Sequence, residues 1–269
     1  MRFTMEDVLL KQYIRKIITS ENPYVFDVDE NGMLALTEKN KLFIEAILAV
    51  DSNYRAAETG TDRDSARSLF ETYGITTDYV ILFRQITAVD RENSTHLSAS
   101  GTEKGNNNGR EIATEAISKM QDLKGRLSRR DPDIVQEIAL ANPKRKNFSF
   151  ASKFCTYATR YALPAPQNDG YCIYDQVLSE VLPYYAYRYL GERHIAKKNS
   201  IIGAEFAETC DYKGYINLVD RIIVAASRET GYTISHKDFD HLLWYYYKGN
   251  RKERTEQVAT LVNIMAELF

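Results

Sequence analysis

Residues 132–162 read PDIVQEIALANPKRKNFSFASKFCTYATRYA, and this stretch decides the fold. Proline is favoured in the first turn of a helix, so Pro132 marks the start of one, and the pair Asn142-Pro143 ends it. A second helix follows the basic turn. Its aromatic residues recur at helical spacing, at Phe150, Phe154, Tyr157 and Tyr161. The stretch therefore predicts two helices joined by a short, positively charged turn.

A second stretch, GYCIYDQVLSEVL at residues 170–182, places a carboxylate at the start of a third helix. Its apolar residues Ile173, Val177, Val181 and Leu182 recur at helical spacing, and Asp175 stands near the beginning. An aspartate at this point is a good helix cap, which stabilises a protein by about 1 kcal/mol. It is also a carboxylate held and oriented by a helix N-terminus, as a catalytic group needs to be. Both interpretations remain open from the residues alone.

The composition is that of a folded, soluble protein of 269 residues, with 44% apolar and 27% charged residues. A net charge of −2 argues neither for nor against a polyanionic partner. Three widely spaced cysteines (Cys155, Cys172 and Cys210) suit a reducing cytoplasm and do not favour an iron–sulfur cluster or zinc. His194, His236 and His241 show no metal-ligand pattern, so we expect neither a metal nor another cofactor. The charged N-terminus and the lack of a long apolar run predict a cytoplasmic protein without a membrane partner.

The rest of the chain reads as predominantly α, with one short strand pair. We expect an amphipathic helix in the first 20 residues, a helix capped by Thr37 and a helix closed by Gly74. The run DYVILFRQIT (78–87) fits either a buried strand or a helix. The polar run from Asp90 to Arg110 predicts a loop, and REIATEAISKMQDLKGRLSRR (110–130) predicts one long helix. We divide the chain into an N-terminal helical region, 1–100, and a second helical region, 101–269, or else a single continuous domain.

Residues 141–182 resemble the helix-hairpin-helix DNA glycosylases, most closely the archaeal 8-oxoguanine glycosylase branch. ANPKRKNFSFASK occupies the position of the family's hairpin, and CIYDQVLSEVL that of its aspartate segment. KNFSFASK keeps a lysine at each end, Lys146 and Lys153, and either can correspond to the family's lysine. Residues 143–145 stand where the family has glycines. The resemblance implies a mainly α, helix-hairpin-helix glycosylase-like fold with a cleft between two helical subdomains.

The resemblance also implies an activity: an N-glycosylase that flips a damaged or modified base out of double-stranded DNA and excises it. Asp175 would stabilise the oxocarbenium-like state of the deoxyribose. In an enzyme that also has lyase activity, a lysine would attack C1′. Lys146 is in the better register for this role, and Lys153, two turns further into the helix and next to the aromatic stripe, is the second candidate. The base is an oxidised purine, as in DNA repair, or a bulky modified cytosine such as a glucosylated one in phage DNA, as in antiviral defence. We assign the walls of the base pocket to Tyr174, Phe150 and Tyr157.

DNA contacts are expected from the hairpin and from the end of the preceding basic run, at Asn142, Lys144, Arg145, Asn147, Arg129 and Arg130. We infer no obligate protein partner. The missing hairpin glycines keep a non-catalytic helix-hairpin-helix DNA-binding module as the alternative. A helical protein that only mediates structural interactions is a further alternative, which salt-sensitive DNA binding would exclude.

Overall fold

A computed structural model describes residues 26–30, 33–45, 65–93, 95–97, 108–164, 170–192 and 212–247, and it is mainly helical, as predicted. Residues 38–45 are helical and form α1. The helices that follow in these ranges are α2 Ala66–Tyr73, α3 Tyr79–Asn93, α4 Asn108–Ser118, α5 Leu123–Ser128, α6 Pro132–Leu140, α7 Phe148–Ala162, α8 Gln176–Leu190, α9 Tyr212–Thr230 and α10 His236–Tyr247.

The chain forms two compact units, and each is built from more than one stretch of sequence. The first unit holds the described residues before position 62, together with 226–234 and 238–247. The second unit holds the described residues from 65 to 225, together with 235–237. The boundary that we draw after residue 100 from the sequence falls inside the second unit.

Helix α7 lies at the centre of the second unit, where it packs against α2, α3, α5 and α6. Its aromatic face meets α2 through Phe70 and Phe154, whose ring centroids are 5.7 Å apart. Polar residues of α7 are buried as well, among them Ser152, Lys153 and Thr156. A helix with neighbours on several sides buries more than the single stripe that its aromatic spacing predicts. The predicted pair of helices around the basic turn is confirmed as α6 and α7.

The predicted helix ends are largely confirmed, because each depends on a local hydrogen bond. The side chain of Thr37 accepts a hydrogen bond from the N–H of Asn40 at 3.3 Å, as an N-cap does. Gly74 closes α2 with φ 66°, and its N–H donates to the Phe70 carbonyl. Pro132 stands first in α6, preceded by Asp131, which caps through the N–H of Asp133.

One open alternative in the middle of the chain is decided, and one expectation changes. Of the strand and the helix that both fit the run DYVILFRQIT, the structure has the helix, with residues 79–87 in α3. The single long helix over 110–130 is wrong, since α4 ends at Ser118 and α5 begins at Leu123. Asp122 interrupts it with a left-handed backbone, φ 48°, and its carboxylate occupies the space where a Cβ on Gly125 would lie. A left-handed residue redirects the chain, which periodicity does not reveal.

The polar run from Asp90 to Arg110 is helical at both ends, where its composition predicts a loop. Helix α3 continues to Asn93 and α4 begins at Asn108. Asp90, which is 3% exposed, accepts hydrogen bonds from Thr95 Oγ1, the Leu97 N–H and Arg110. Burial opposes ionisation of Asp90, but these bonds outweigh it and hold its pKa below the usual value. The first and last residues of the predicted loop therefore form a buried ion pair.

The first unit contains an isolated antiparallel bridge between Val28 and Leu34, in place of the expected strand pair. The N–H of Leu34 donates to the Tyr247 hydroxyl at 3.0 Å, and Phe26 packs edge-on against Phe43 and Tyr246. The amphipathic helix expected in the first 20 residues lies outside the described residues.

Candidate functional site

The turn between α6 and α7, residues 141–147, is closed by backbone hydrogen bonds. The N–H of Asn147 donates to the Ala139 carbonyl at 2.9 Å, and the N–H of Arg145 donates to the Asn142 carbonyl at 3.2 Å. Asn142 is 4% exposed; its Oδ1 accepts from the N–H of Lys144, and its Nδ2 is buried without a partner. Local bonds thus define this turn without the glycines of the family's hairpin.

The basic side chains of this turn are all exposed, while Asn147 is buried. Asn147 precedes α7 but makes no side-chain capping bond, so the helix begins without the usual internal acceptor. Arg145 donates to the His96 carbonyl at 3.2 Å, which places the end of the 95–97 segment beside the turn. A helix start lacking a cap next to exposed lysine and arginine side chains suits an anion.

Asp175 caps α8, which is one of the two interpretations that the sequence leaves open. Its Oδ1 accepts a hydrogen bond from the N–H of Leu178 at 3.0 Å, and its backbone is extended. Its Oδ2 makes no hydrogen bond with any residue in the described ranges. The side chain is buried, with 8% of the residue exposed. One carboxylate oxygen is therefore occupied in capping, and the other has no partner among the described residues. Ile173, which the sequence places on the apolar stripe of this helix, lies before the helix begins.

The segment that carries Asp175 is attached to α7 and α9. The N–H of Tyr174 donates to Ser152 Oγ at 3.0 Å, and Thr156 Oγ1 donates to the Tyr171 carbonyl at 3.1 Å. From α9, the Tyr212 and Tyr215 hydroxyls donate to the carbonyls of Cys172 and Ile173. These bonds fix the backbone just before the carboxylate, which gives Asp175 a defined position beside the middle of α7.

The two lysines of the predicted motif lie in different environments. Lys146 is exposed in the turn, whereas Lys153 is buried within α7, with 9% of its surface exposed. Lys153 makes no hydrogen bond or ion pair with any described residue. It directly follows Ser152, the residue that holds the Tyr174 backbone. An unpaired ammonium in a packed helix is costly, so its presence calls for a reason.

Of the aromatic residues that we assign to a base pocket, Tyr174 and Tyr157 are half-buried, whereas Phe150 lies in the core. Tyr174 is half-buried, its ring lies 5.9 Å from Phe148 and 5.2 Å from Tyr215, and burial raises its pKa. Phe150 is 1% exposed and packs on Phe154 in the core. Tyr157 is half-buried against Tyr161, with ring centroids 5.5 Å apart, and burial raises its pKa too. Tyr174, adjacent to Asp175, is the partly accessible aromatic closest in sequence to the carboxylate.

The two arginines outside the turn that are expected to contact DNA each have an acidic neighbour. Arg129 is exposed and pairs with Asp122 at 3.0 Å. Arg130 is one-third exposed, has a left-handed backbone with φ 56°, and turns toward His236 and Asp220. Neither belongs to the hairpin turn, so they contribute less to an anion site there than the exposed turn residues do.

An open groove of about 780 Å³ lies beside the turn, between α4, α5 and α6. Met120, Arg126, Glu137 and Pro143 are among the residues that line it. Arg126 is already bonded to Glu137 and Asp131. None of the residues that we assign to catalysis or to the base pocket lines this groove.

A further cluster, Cys172, Asp220 and His236, has no counterpart in our sequence expectations. The potential ligand atoms of the three side chains all lie within 4.8 Å of one another. His236 Nε2 is 2.5 Å from Asp220 Oδ1, and its Nδ1 is 3.3 Å from Arg130 Nη2. Burial raises the pKa of the Cys172 thiol, although a hydrogen bond with His236 opposes this. The three residues lie far apart in sequence, so no motif or spacing indicates that they form a cluster.

In comparisons with models of known protein families, with curated proteins and with solved structures, the chain has no match. Within the described ranges, no helix has both the length and the apolar character needed to cross a membrane.

Proposed function

We propose that the protein is a DNA N-glycosylase with a helix-hairpin-helix fold, in which Asp175 is the catalytic carboxylate. The substrate is a damaged or modified base in double-stranded DNA, either an oxidised purine or a bulky modified cytosine. In this proposal the base enters a cleft between two helical subdomains, and the protein acts in the cytoplasm.

One observation carries the proposal. Among the described residues, the buried Lys153 has no acidic partner and Asp175 Oδ2 accepts no hydrogen bond, and the bond between Ser152 and Tyr174 joins the elements that carry them. Capping accounts for Oδ1 of Asp175 but not for Oδ2. A buried lysine without a partner costs free energy, which supports a functional rather than a structural role for it.

The chemistry follows from the charge that develops during base release. Breaking the N-glycosidic bond leaves positive charge on the deoxyribose, and a fixed carboxylate near C1′ stabilises that charge. In this mechanism Asp175 Oδ2 faces the sugar while Oδ1 keeps the capping bond that orients it. Lys153 is the better candidate than Lys146 for attack on C1′, because it is buried in α7, the helix that the Asp175 segment contacts through Ser152, whereas Lys146 lies in the exposed turn. After its ammonium has given up a proton to solvent, the amine forms the new C–N bond as the base leaves with the glycosidic electron pair.

The hairpin supplies the proposed DNA contact. Lys144, Arg145 and Lys146 are exposed, and the backbone N–H groups at the start of α7 have no cap from Asn147. A DNA phosphate placed at this turn would meet both the helix N-terminus and the basic side chains. Tyr174, beside Asp175, is then the aromatic most suitably placed to contact the extruded base.

A non-catalytic DNA-binding module is the second candidate, and the geometry of Asp175 favours it. The carboxylate has a structural role in capping α8, and only 8% of the residue is exposed. Both candidates predict salt-sensitive DNA binding through the turn, so binding alone does not separate them.

The experiment that separates them compares Asp175→Asn with Asp175→Ala on duplexes that contain 8-oxoguanine or glucosylated 5-hydroxymethylcytosine. Asparagine caps a helix about as well as aspartate, so Asp175→Asn keeps the melting temperature near that of the wild type. Because it lacks the negative charge, we expect base release to fall on the order of a hundredfold. Asp175→Ala loses the cap as well and is destabilised by about 1 kcal/mol.

Base release is measured as abasic sites under single-turnover conditions, and melting by circular dichroism. Full-rate base release by a folded Asp175→Asn variant would remove Asp175 from catalysis. Wild-type protein that binds these duplexes but releases neither base would instead favour the binding module.

A further inference from the structure

The cluster of Cys172, Asp220 and His236 brings three elements together. Cys172 lies in the segment before α8, Asp220 lies in α9, and His236 is the first residue of α10. The Tyr212 hydroxyl donates to the Cys172 carbonyl at 2.6 Å, which holds the cysteine backbone in place. All three residues belong to the second unit, so their mutual distances are set within one compact body.

We infer that these three side chains form a binding site for one divalent cation of the zinc class. Cys172 Sγ, His236 Nε2 and an Asp220 carboxylate oxygen are the ligands. Thiolate and imidazole ligands favour zinc over the oxygen-preferring ions magnesium and calcium.

The geometry suits such an ion after small shifts in both directions. Zinc bonds of about 2.0–2.3 Å in a tetrahedron place ligand atoms roughly 3.3–3.8 Å apart. Ligand atoms that are up to 4.8 Å apart must approach by about an ångström, whereas His236 Nε2 and Asp220 Oδ1, now 2.5 Å apart, must separate by a similar amount. Cys172 and His236 are buried, whereas the Asp220 side chain is 44% exposed. A fourth position on the Asp220 side is thus open to water.

The proton balance is simple. Aspartate oxygen only accepts, so His236 Nε2 donates to Asp220 and carries the ring proton when no ion is bound. Arg130 Nη2 only donates, so it faces the unprotonated Nδ1. On binding, the Cys172 thiol releases its proton to solvent and the ring proton moves to Nδ1, which leaves the imidazole neutral.

In its present position, Arg130 therefore opposes binding of the ion. A protonated Nδ1 cannot face an arginine N–H, and the guanidinium repels a nearby cation. Arg130 also has a buried Nε without a hydrogen-bond partner and a left-handed backbone, so its present position is costly. We therefore expect the arginine to turn away when the ion binds.

The test uses the untagged full chain, stripped of metal with a chelator and titrated with Zn²⁺ and with Co²⁺. Wild-type protein is expected to bind one equivalent, to melt at a higher temperature with Zn²⁺, and to show a thiolate-to-cobalt charge-transfer band. Cys172→Ser removes that band, and Cys172→Ser and Asp220→Asn each bind Zn²⁺ about 100-fold more weakly or worse, since even outer-shell changes cost 10–100-fold. Cys155→Ser, which removes the other buried thiol of the described residues, keeps the band.

Arg130→Gln should strengthen Zn²⁺ binding, which is an effect that a misfolded variant would not produce. It removes the charge and offers a carbonyl oxygen to the Nδ1 proton, so Zn²⁺ binding should tighten about tenfold. Arg129→Gln removes the same charge from the adjacent exposed residue and leaves the affinity nearly unchanged. The site is refuted if wild-type protein binds no stoichiometric metal. It is also refuted if the cobalt band survives Cys172→Ser, if Cys155→Ser and Cys172→Ser weaken binding equally, or if Arg130→Gln does not bind Zn²⁺ more tightly than Arg129→Gln.

Discussion

At the scale of the residue, burial favours a different lysine from the one that the sequence register favours. Lys146 and Lys153 both border KNFSFASK, but only Lys153 lies inside a packed helix, and it has no acidic partner among the described residues. Lys146 is exposed before the start of the helix, where the proposed function gives it a phosphate contact. Sequence register does not reveal this difference, because it comes from the elements that surround α7.

A borohydride trap tests this assignment. If the proposed glycosylase proceeds through a Schiff base, wild-type protein and Lys146→Gln should become covalently linked to modified-base DNA on reduction, whereas Lys153→Gln should not. The reason is that Lys153, unlike Lys146, belongs to α7, the helix that the Asp175 segment contacts through Ser152. The linked species is measured on a denaturing gel.

Abasic-site formation, measured in the same samples, serves as the control for folding and DNA binding. Cross-linking that disappears in Lys146→Gln and persists in Lys153→Gln would reverse the assignment. A wild type that releases base without forming any linked species would show that water, and not a lysine, attacks C1′.

At the scale of the element, the ion pair of Asp90 and Arg110 joins α3 to α4 across the polar run. Asp90 is 2% exposed at its side chain, and the Nη2–Oδ2 distance is 2.8 Å. Breaking a buried pair by removing one partner costs about 3–5 kcal/mol, because the other charge is left uncompensated. Polar composition predicts a loop here. The Asp90 carboxylate, with hydrogen bonds from Thr95, Leu97 and Arg110, instead stabilises the end of α3 and the start of α4.

Acid titration of stability checks the role of Asp90. Its pKa is lower in the folded protein than the usual 3.8, so its contribution is complete well above pH 3.8. That contribution is lost as the pH falls through 3.8 toward the lower folded pKa. Asp90→Asn should therefore be about 3–5 kcal/mol less stable at pH 7, and its deficit should shrink as the pH falls below about 4.

Urea unfolding at a series of pH values measures this difference. Glu115→Gln breaks the exposed pair with Lys119 and is the matched control, since water screens that interaction and the loss should be far smaller. A constant deficit for Asp90→Asn from pH 7 to pH 3 would mean that the carboxylate charge does not provide the stability.

At the scale of the whole molecule, α7 organises the second unit because it packs against α2, α3, α5 and α6. Phe154 is 1% exposed and lies between Phe150 and Phe70, so it connects the hairpin to α2. The same helix carries Lys153 and anchors the Asp175 segment. The packing of α7 therefore sets both the stability of this unit and the geometry of the candidate site.

Phe154→Ala should reduce the free energy of unfolding by about 3–5 kcal/mol, through lost burial and the cavity left behind. Val80→Ala, at a position 68% exposed, should change it by no more than about 0.5 kcal/mol. Urea unfolding followed by circular dichroism measures both. Similar losses in the two variants would show that α7 is not the packing centre.

The sequence by itself determined the features that depend on neighbouring residues. These are the mainly helical character, the turn between α6 and α7, and the caps Thr37, Gly74 and Asp175, because helix periodicity and capping bonds operate within a few positions. Only the tertiary structure decided which lysine is buried, that Asp90 pairs with Arg110, and that Cys172, Asp220 and His236 meet. Those outcomes depend on which distant elements pack together, and the spacing of residues along the chain does not indicate this packing.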